Sequence, residues 1–520
     1  MRLHALVSLV LGLEAILGGP LHAEERVASR PRPFEIQVVD ADTGRGVPLV
    51  ELETVHNVRY ITDNAGRIAY DEPARAGETI FFTIHAHGYE VPRDGFGIAG
   101  TRLTIEAGGR AEVKLKRGNI AERLYRLTGQ DLYRDSVLLG HDVPLRTPFG
   151  AGKVAGQDST LAVPYRGKIY WFWGDTNRLS YPLGLFRTAG ATTPPPGPDL
   201  NPSVAIEYDY FTGDDGFVRR MVEVKDSKGV VWIDGVATVP DAAENGRERL
   251  VARFSRREGL AKALEQGMVI YNDDRELFEV RTTIPLSEEW RFLRDHPTPI
   301  TVDGEEFLSS GNPFPVTRVK RSLEAVLDPA AYRSWSCAVE GETSPSKLVP
   351  RRKPDGTLDW QWQDGPPVTV RDEARWIEGR AIRPDEAYFL PEDVSRPGRR
   401  ISPHTGTVQW NPHRQRWVLV VVELTMEKES PSMLGELYYS EAIEAHGPYR
   451  KAVKILSHDK QTFYNPVHHP FFDEGNGRTI YFEGTYCNTF TNSPATQRYN
   501  YNQMLYRLDL DDERLKVVRE

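Results

Sequence analysis

Gly156–Arg178 reads GQDSTLAVPYRGKIYWFWGDTNR. Leu161, Val163 and Tyr165 take alternate positions along one strand. Ile169 to Trp173 is a second, aromatic-rich run of the kind that fills a buried strand. Arg166-Gly167-Lys168 supplies the tight turn between them. Asp158 enters the first strand and Asp175 leaves the second. A carboxylate at the mouth of a buried strand is costly to desolvate unless it is paired or put to use. The hairpin therefore sets two expectations: β architecture, and a site at the strand ends.

The same grammar recurs downstream. Strands follow in FVRRMVEV, VVWIDGVATV and RERLVARFS, then GMVIYND with LFEVRTTI, and GTVQWNP with RWVLVVVEL. GELYYSEA, VHHPFFDE with RTIYFEGTY, and QMLYRLDL complete the series. Small sheets repeated around an axis make a propeller, and these strands leave room for about five blades. A large irregular sandwich is the other arrangement open to the pattern. Two insertions interrupt it: a Pro-rich loop from Thr192, and residues 341–400 with Trp360, Trp362 and Trp376. Those rings suit either sugar faces or packing onto the scaffold. FGAGKVAG looks like a phosphate loop, but no Gly-Lys-Ser/Thr follows, so it is set aside.

The 520 residues are 39% hydrophobic and 27% charged, ordinary for a globular chain with a core. The formal charge is −9 and no basic tract stands out, which argues against a nucleic-acid partner. An anionic polymer stays open, because arginines from distant segments can cluster in the fold. Residues 1–23 read as a signal peptide: Arg2, a short apolar core from Ala5 to Gly19, then His22-Ala23 before Glu24-Glu25. That core is short and interrupted by Glu14, a poor membrane span. No later segment could span a membrane, so a secreted or periplasmic protein is expected. There are two cysteines, Cys337 and Cys487. Export would allow them to pair, and their isolation does not require it. Without CxxC spacing, zinc binding through sulfur is not supported.

Residues 33–116 alternate as short strands between turns such as Asp63-Asn-Ala-Gly, the pattern of a small antiparallel β-sandwich. VVDADTGRGVP, YITDNAGRIAY and IHAHGYE resemble the carboxypeptidase regulatory-like domain, a transthyretin-like sandwich. The resemblance implies an accessory module without catalytic residues. His56, His85 and His87 then read as strand histidines, and no metal site is expected. Residues 117–150 read as a linker and 151–520 as the propeller, with its insertion at 341–400. The expected fold class is all-β: a small N-terminal sandwich followed by a five-bladed propeller.

GQDSTLAVPYRGKIYWFWGDTN, GELYYSEAIEAHGPY and YNPVHHPFFDEGNGRTIYFEGTY resemble the five-bladed propeller glycoside hydrolases, the arabinanases, xylosidases and levansucrases. The resemblance implies an exported enzyme that hydrolyses glycosidic bonds of a polysaccharide or oligosaccharide with paired carboxylates. It implies Asp158 as general base and Asp234, in VWIDGV, as the acid that tunes it. The segment expected to hold the general acid, HPTPITVDGEEFLSSG, offers Glu305 and Glu306 in no recognisable motif. Glu483, in YFEGTY, has the more telling local context. The catalytic candidates are therefore Asp158, Asp234 and Glu483. Gln157, Trp173, Asp175, His404, His469 and Tyr486 are the substrate-binding candidates. The chemistry needs one carboxyl protonated and one ionised across the scissile bond, which burial among aromatics can arrange. A second reading is a polysaccharide lyase built on His404, His469 and Tyr486, and a third is a propeller that only binds carbohydrate or protein. No cofactor is expected, with a divalent cation left open.

Overall fold

The computed structural model describes residues 32–519, apart from 186, 226–227, 261, 340–346, 428–429 and 431. The export signal expected at 1–23 lies outside the described residues. Leu161–Tyr165 pairs antiparallel with Lys168–Trp173, from Leu161↔Phe172 to Tyr165↔Lys168. Arg166 and Gly167 turn between them at φ 47° and 76°, the left-handed pair that matches strand twist. Ala189–Thr193 and Asp209–Tyr210 complete this first blade.

Four more sheets of the same antiparallel kind follow. Blade 2 contains Val230–Asp241, Arg247–Glu258, Lys262–Asn272 and Leu277–Thr283, with Val222–Glu223 added in parallel at its edge. Blade 3 starts at Thr298–Val302 and ends at Gln361–Gln363. Blade 4 starts at Pro403–Asn411 and includes Arg416–Glu423 and Glu436–Ala442. Blade 5 combines Thr462–His468, Thr479–Cys487 and Asn502–Asp509 with a strand from far upstream, Glu122–Arg126.

The core confirms a closed ring of five. The alternating apolar positions of these strands bury five separate clusters, one at each junction between blades. Phe172 meets Val231 and Phe254 between blades 1 and 2. Val239 meets Leu308 and Val319 between 2 and 3. Val316 meets Leu419 and Tyr438 between 3 and 4. Val420 and Tyr439 meet Phe463 and Phe482 between 4 and 5. Trp171 meets Tyr481 and Leu505 between 5 and 1.

The expected linker needs correction. Glu122–Arg126 pairs with Met504 to Arg507 as the outer strand of blade 5, so the ring is closed by residues inside 117–150. A closing strand is buried on both sides, and all five of its residues are buried. Such a strand does not alternate, which hid it from a period-two reading.

The N-terminal unit is two four-stranded sheets around Ile36, Val38, Leu52, Ile68, Phe82 and Leu115. It is not wholly antiparallel: Phe34–Asp40 runs parallel to Arg110–Arg117, because the first and last strands of the unit lie side by side and run the same way. Leu49 and Ile61 leave that core and join the cluster between blades 4 and 5. Cys337 and Cys487 are both buried and free. Among the described residues no helix is long and apolar enough to cross a membrane.

Candidate active site

The inner strands open at one end of the axis onto a cavity of about 320 Å³. Blade 1 contributes Asp158 and Asp175 to its wall, and blade 2 contributes Trp232 and Asp234. Asp295 and His296 stand where the chain enters blade 3, with Thr405 from blade 4 and Asn465 from blade 5. Three inner strands are bulged here: the register shifts between Ile233 and Gly235, between Pro403 and Thr405, and between Tyr464 and Val467. A bulge re-aims the residue inside it, and Asp234 and Asn465 sit inside two of them.

Asp158 is held from several directions. Its Oδ1 accepts the Asp175 N–H at 2.9 Å and its Oδ2 accepts the Tyr464 hydroxyl at 2.9 Å. Tyr501 also hydrogen-bonds it, and burial raises its pKa against these bonds. Gly174 makes the approach possible: a Cβ there would stand 2.4 Å from the Asp158 Oδ1. Left-handed backbone collects around this carboxylate, at Ser159 (φ 57°), Asn465 (50°), Phe490 (66°) and Tyr501 (62°). Such conformations are disfavoured for residues other than glycine and gather where function requires them. Asn465 donates to the Ser159 hydroxyl at 2.8 Å. Phe490, 59% exposed, meets the Tyr464 ring edge-on at 6.3 Å.

Asp175 is nearly buried, and its Oδ1 accepts the Trp232 Nε1–H at 2.8 Å across the gap between blades. Burial pushes its pKa up to about 7, the charge on Asp158 adds to the rise, and the Trp232 bond opposes it. A second pair faces the same cavity. The Asp295 N–H donates to the Asp234 carbonyl at 2.7 Å. Gly235 permits this, since a Cβ there would meet the Asp295 nitrogen at 2.9 Å. Burial pushes Asp295 up to about 6; Arg294 and Arg253 pull against it, while Asp234 pushes with it. Arg253, buried behind the pair, places its Nε 3.8 Å from the Asp234 Oδ2. Burial holds His296 down at about 3, so its ring is neutral.

Of the sequence candidates, Asp158, Asp175 and Asp234 come together in this cavity, and the others do not join them there. Glu483 is fully buried, with Oε1 2.7 Å from His469 Nε2 and Oε2 accepting the Thr160 hydroxyl at 2.9 Å. His469 packs edge-on against Trp171. This pair holds the wall between blades 5 and 1. Glu483→Ala is accordingly expected to cost about 1–3 kcal/mol of stability by leaving His469 and Thr160 without their buried hydrogen-bond partner, read as a lower urea midpoint. An unchanged midpoint with lost activity would return Glu483 to the chemistry. Trp173 stacks on Trp171 inside the blade 5–1 core and does not reach the rim. Gln157 is buried, bonded to Thr176 and Tyr210. Tyr486 faces the sandwich, 3.1 Å from the His87 Nε2. His404 adjoins the wall residue Thr405 and is not itself part of the wall. His404, His469 and Tyr486 therefore do not share one pocket.

Glu305 and Glu306 are exposed and paired with Lys320 and Arg321 on an outer hairpin. The acid that enters blade 3 at the cavity is Asp295, one residue before the segment searched for it. The signal was present: Asp295-His296-Pro297 precedes an inner strand as Asp158-Ser159-Thr160 does. Trp360 and Trp376 of the insertion pack into the blade 3–4 core, and the tryptophan at the cavity is Trp232. Among the described residues, Glu51, Glu53 and His85 on the sandwich could group around an ion. Arg59 already pairs with both carboxylates, at 3.5 and 3.2 Å.

No protein-family model matches the chain, and no curated protein matches it significantly. Solved structures align with it at low similarity. One is an α-L-arabinanase mutant of Cellvibrio cellulosa, 10% identical over 69% of this chain and 92% of that one, TM-score 0.34. Another is an exo-1,5-α-L-arabinanase from a bovine ruminal metagenomic library, at 9%, 68%, 93% and 0.32. A third is an N-acetylgalactosamine deacetylase from F. plautii, at 10%, 77%, 98% and 0.35. At these scores the alignments carry no functional argument, and the blade count rests on the sheets and their cores.

Proposed function

We propose that this chain is an exported glycoside hydrolase that cleaves a polysaccharide or oligosaccharide in the axial cavity. The observation that carries the reading is the convergence of four aspartates from three blades, with burial pushing the pKa of Asp175 up to about 7 and that of Asp295 up to about 6. Glycosidic hydrolysis needs a carboxylic acid to protonate the leaving oxygen and a carboxylate to assist attack at the anomeric carbon. Burial favours the protonated form of a carboxyl, and hydrogen bonds donated to a carboxylate favour its charged form. Asp175 is the proton donor in this reading, and Asp158, beside it, is the carboxylate partner. Asp234 and Asp295 form the second wall, and Phe490 offers an exposed ring for a sugar face.

The test is a screen of neutral and acidic glycans for new reducing ends, followed by a pH profile on the best substrate. An acid titrating near 7 must be protonated to act, so kcat should fall as pH rises through about 7. Asp175→Asn should remove that limb along with most of the turnover. Linkage adds a stability signature. The folded state binds the Asp175 proton more tightly than the unfolded chain does, so this group lowers stability as pH rises from about 4 to 7. Asp175→Asn should therefore melt at or above the parent temperature at pH 8. A basic limb that persists in Asp175→Asn would move the acid role to Asp295.

A further inference from the structure

We propose that the glycan taken by this cavity carries an anionic group, a uronate carboxylate or a sulfate ester, received by Arg257 and Arg294. The inference rests on the axial cavity being a glycan site. Both arginines belong to its wall, and neither is used up by a close acid. The Arg257 guanidinium makes long contacts to the Ser255 hydroxyl and the Leu260 carbonyl, both at 3.4 Å. The Arg294 Nε is 4.0 Å from the Asp295 Oδ2. Elsewhere arginines of this protein close on carboxylates: Arg275 on Glu223 at 2.7 Å, Arg352 on Glu386 at 2.6 Å, Arg399 on Glu423 at 2.7 Å. The contrast is sharper because four aspartates share the cavity. Three of those acids face other partners: Asp158 faces Tyr464, Asp175 faces Trp232 and Asp234 faces Arg253. The fourth, Asp295, bonds Asn312 and stays at 4.0 Å from Arg294.

A guanidinium presents five donors in a planar fork that fits a carboxylate or sulfate edge. A neutral sugar has no group that uses such a fork fully. Both arginines line the cavity together with the blade 2 and blade 3 acids, and neither closes on a carboxylate at hydrogen-bond distance. The raised pKa values of Asp175 and Asp295 reduce the negative charge of the cavity at mildly acidic pH, so an approaching anion meets less repulsion there. Leu260, 74% exposed at the same hairpin tip and part of the wall, adds apolar contact for the C–H face of the ring.

The test is titration calorimetry on the full chain carrying Asp158→Asn. The anionic probes are an oligogalacturonide, a glucuronoxylan oligosaccharide and a chondroitin sulfate tetrasaccharide. Neutral arabino-, xylo- and galacto-oligosaccharides serve as controls. At least one anionic probe should bind about tenfold or more tighter than every neutral one, and more weakly as salt rises. Carboxyl reduction abolishes that preference if the group is a uronate, and desulfation abolishes it if the group is a sulfate. Arg257→Gln and Arg294→Gln should each weaken binding about tenfold, with Arg257→Lys retaining part of it. Neutral probes bound as tightly as the anionic ones, no anionic probe bound, or unchanged binding in both Gln variants would overturn the proposal. Reducing-end release by the parent reads the hydrolase assignment separately. Arg-dependent anionic binding without turnover would refute hydrolysis and leave the anionic ligand standing.

Discussion

Asp158→Asn is expected to lower kcat by about 10²- to 10⁴-fold on any glycan the parent cleaves, with the fold unchanged. The side chain is bound on both oxygens, by the Asp175 N–H and by the Tyr464 hydroxyl. An amide of the same shape keeps the first bond through its oxygen and can donate to a tyrosine oxygen for the second. It cannot take up a proton or carry negative charge. Burial already raises the Asp158 pKa, so removing the charge does not remove a source of stability at neutral pH. The melting temperature should match the parent, and oligosaccharide binding should survive. Activity within a few-fold of the parent would take Asp158 out of the mechanism and move the weight to Asp234 and Asp295.

The blades were legible because their strands obey a simple rule. In GTVQWNP and RWVLVVVEL, β-branched and aromatic residues run to a turn and resume, and the paired strands lie where that pattern puts them. The closing strand was not legible, because ERLYR is buried on every side and mixes arginine with apolar residues. Its partner lies nearly 400 positions away, at Met504 to Arg507. The candidate site divides the same way. Asp158 stands at the mouth of an apolar strand and Asp234 interrupts one, and each was a usable signal. Glu483 interrupts one equally well in YFEGTY, yet its strand position turns it toward His469 and the core. Local context identifies a buried acid but not the direction in which it points. That direction depends on bulges such as the one at Asp234, which shift facing by one residue and leave little trace in sequence. Asp295 was missed because the segment expected to hold the acid begins at His296, one residue too late, although Asp295 precedes its strand as Asp158 does.

Removing residues 32–116 is expected to leave a propeller that aggregates or melts at least about 10 °C below the full chain. An accessory module joined by a linker at 117–150, as the sequence reads, would instead leave the propeller self-sufficient. Several features of the junction argue against that. Arg123 of the closing strand is buried and donates to the Pro48 and His87 carbonyls at 3.1 and 2.6 Å, both in the sandwich. Asn64 exchanges two hydrogen bonds with the Arg126 backbone, at 2.9 and 3.0 Å. The Asp63 carboxylate accepts the Ser136 N–H at 2.7 Å, and the Tyr499 hydroxyl bonds the Thr62 carbonyl at 2.5 Å. Leu49 and Ile61 complete the apolar cluster between blades 4 and 5. Each lost hydrogen bond contributes about 0.5–1.5 kcal/mol, and exposed apolar surface adds about 25 cal/mol per Å². Together these approach the 5–15 kcal/mol of a whole domain. They fall on the strand that closes the ring, whose release would free an edge on blade 5 and open the propeller to aggregation. Scanning calorimetry of the 117–520 fragment measures the effect, and Arg123→Met in the full chain isolates the part borne by the closing strand. A soluble fragment that melts with the parent would make the interface incidental and restore the sandwich to an independent module.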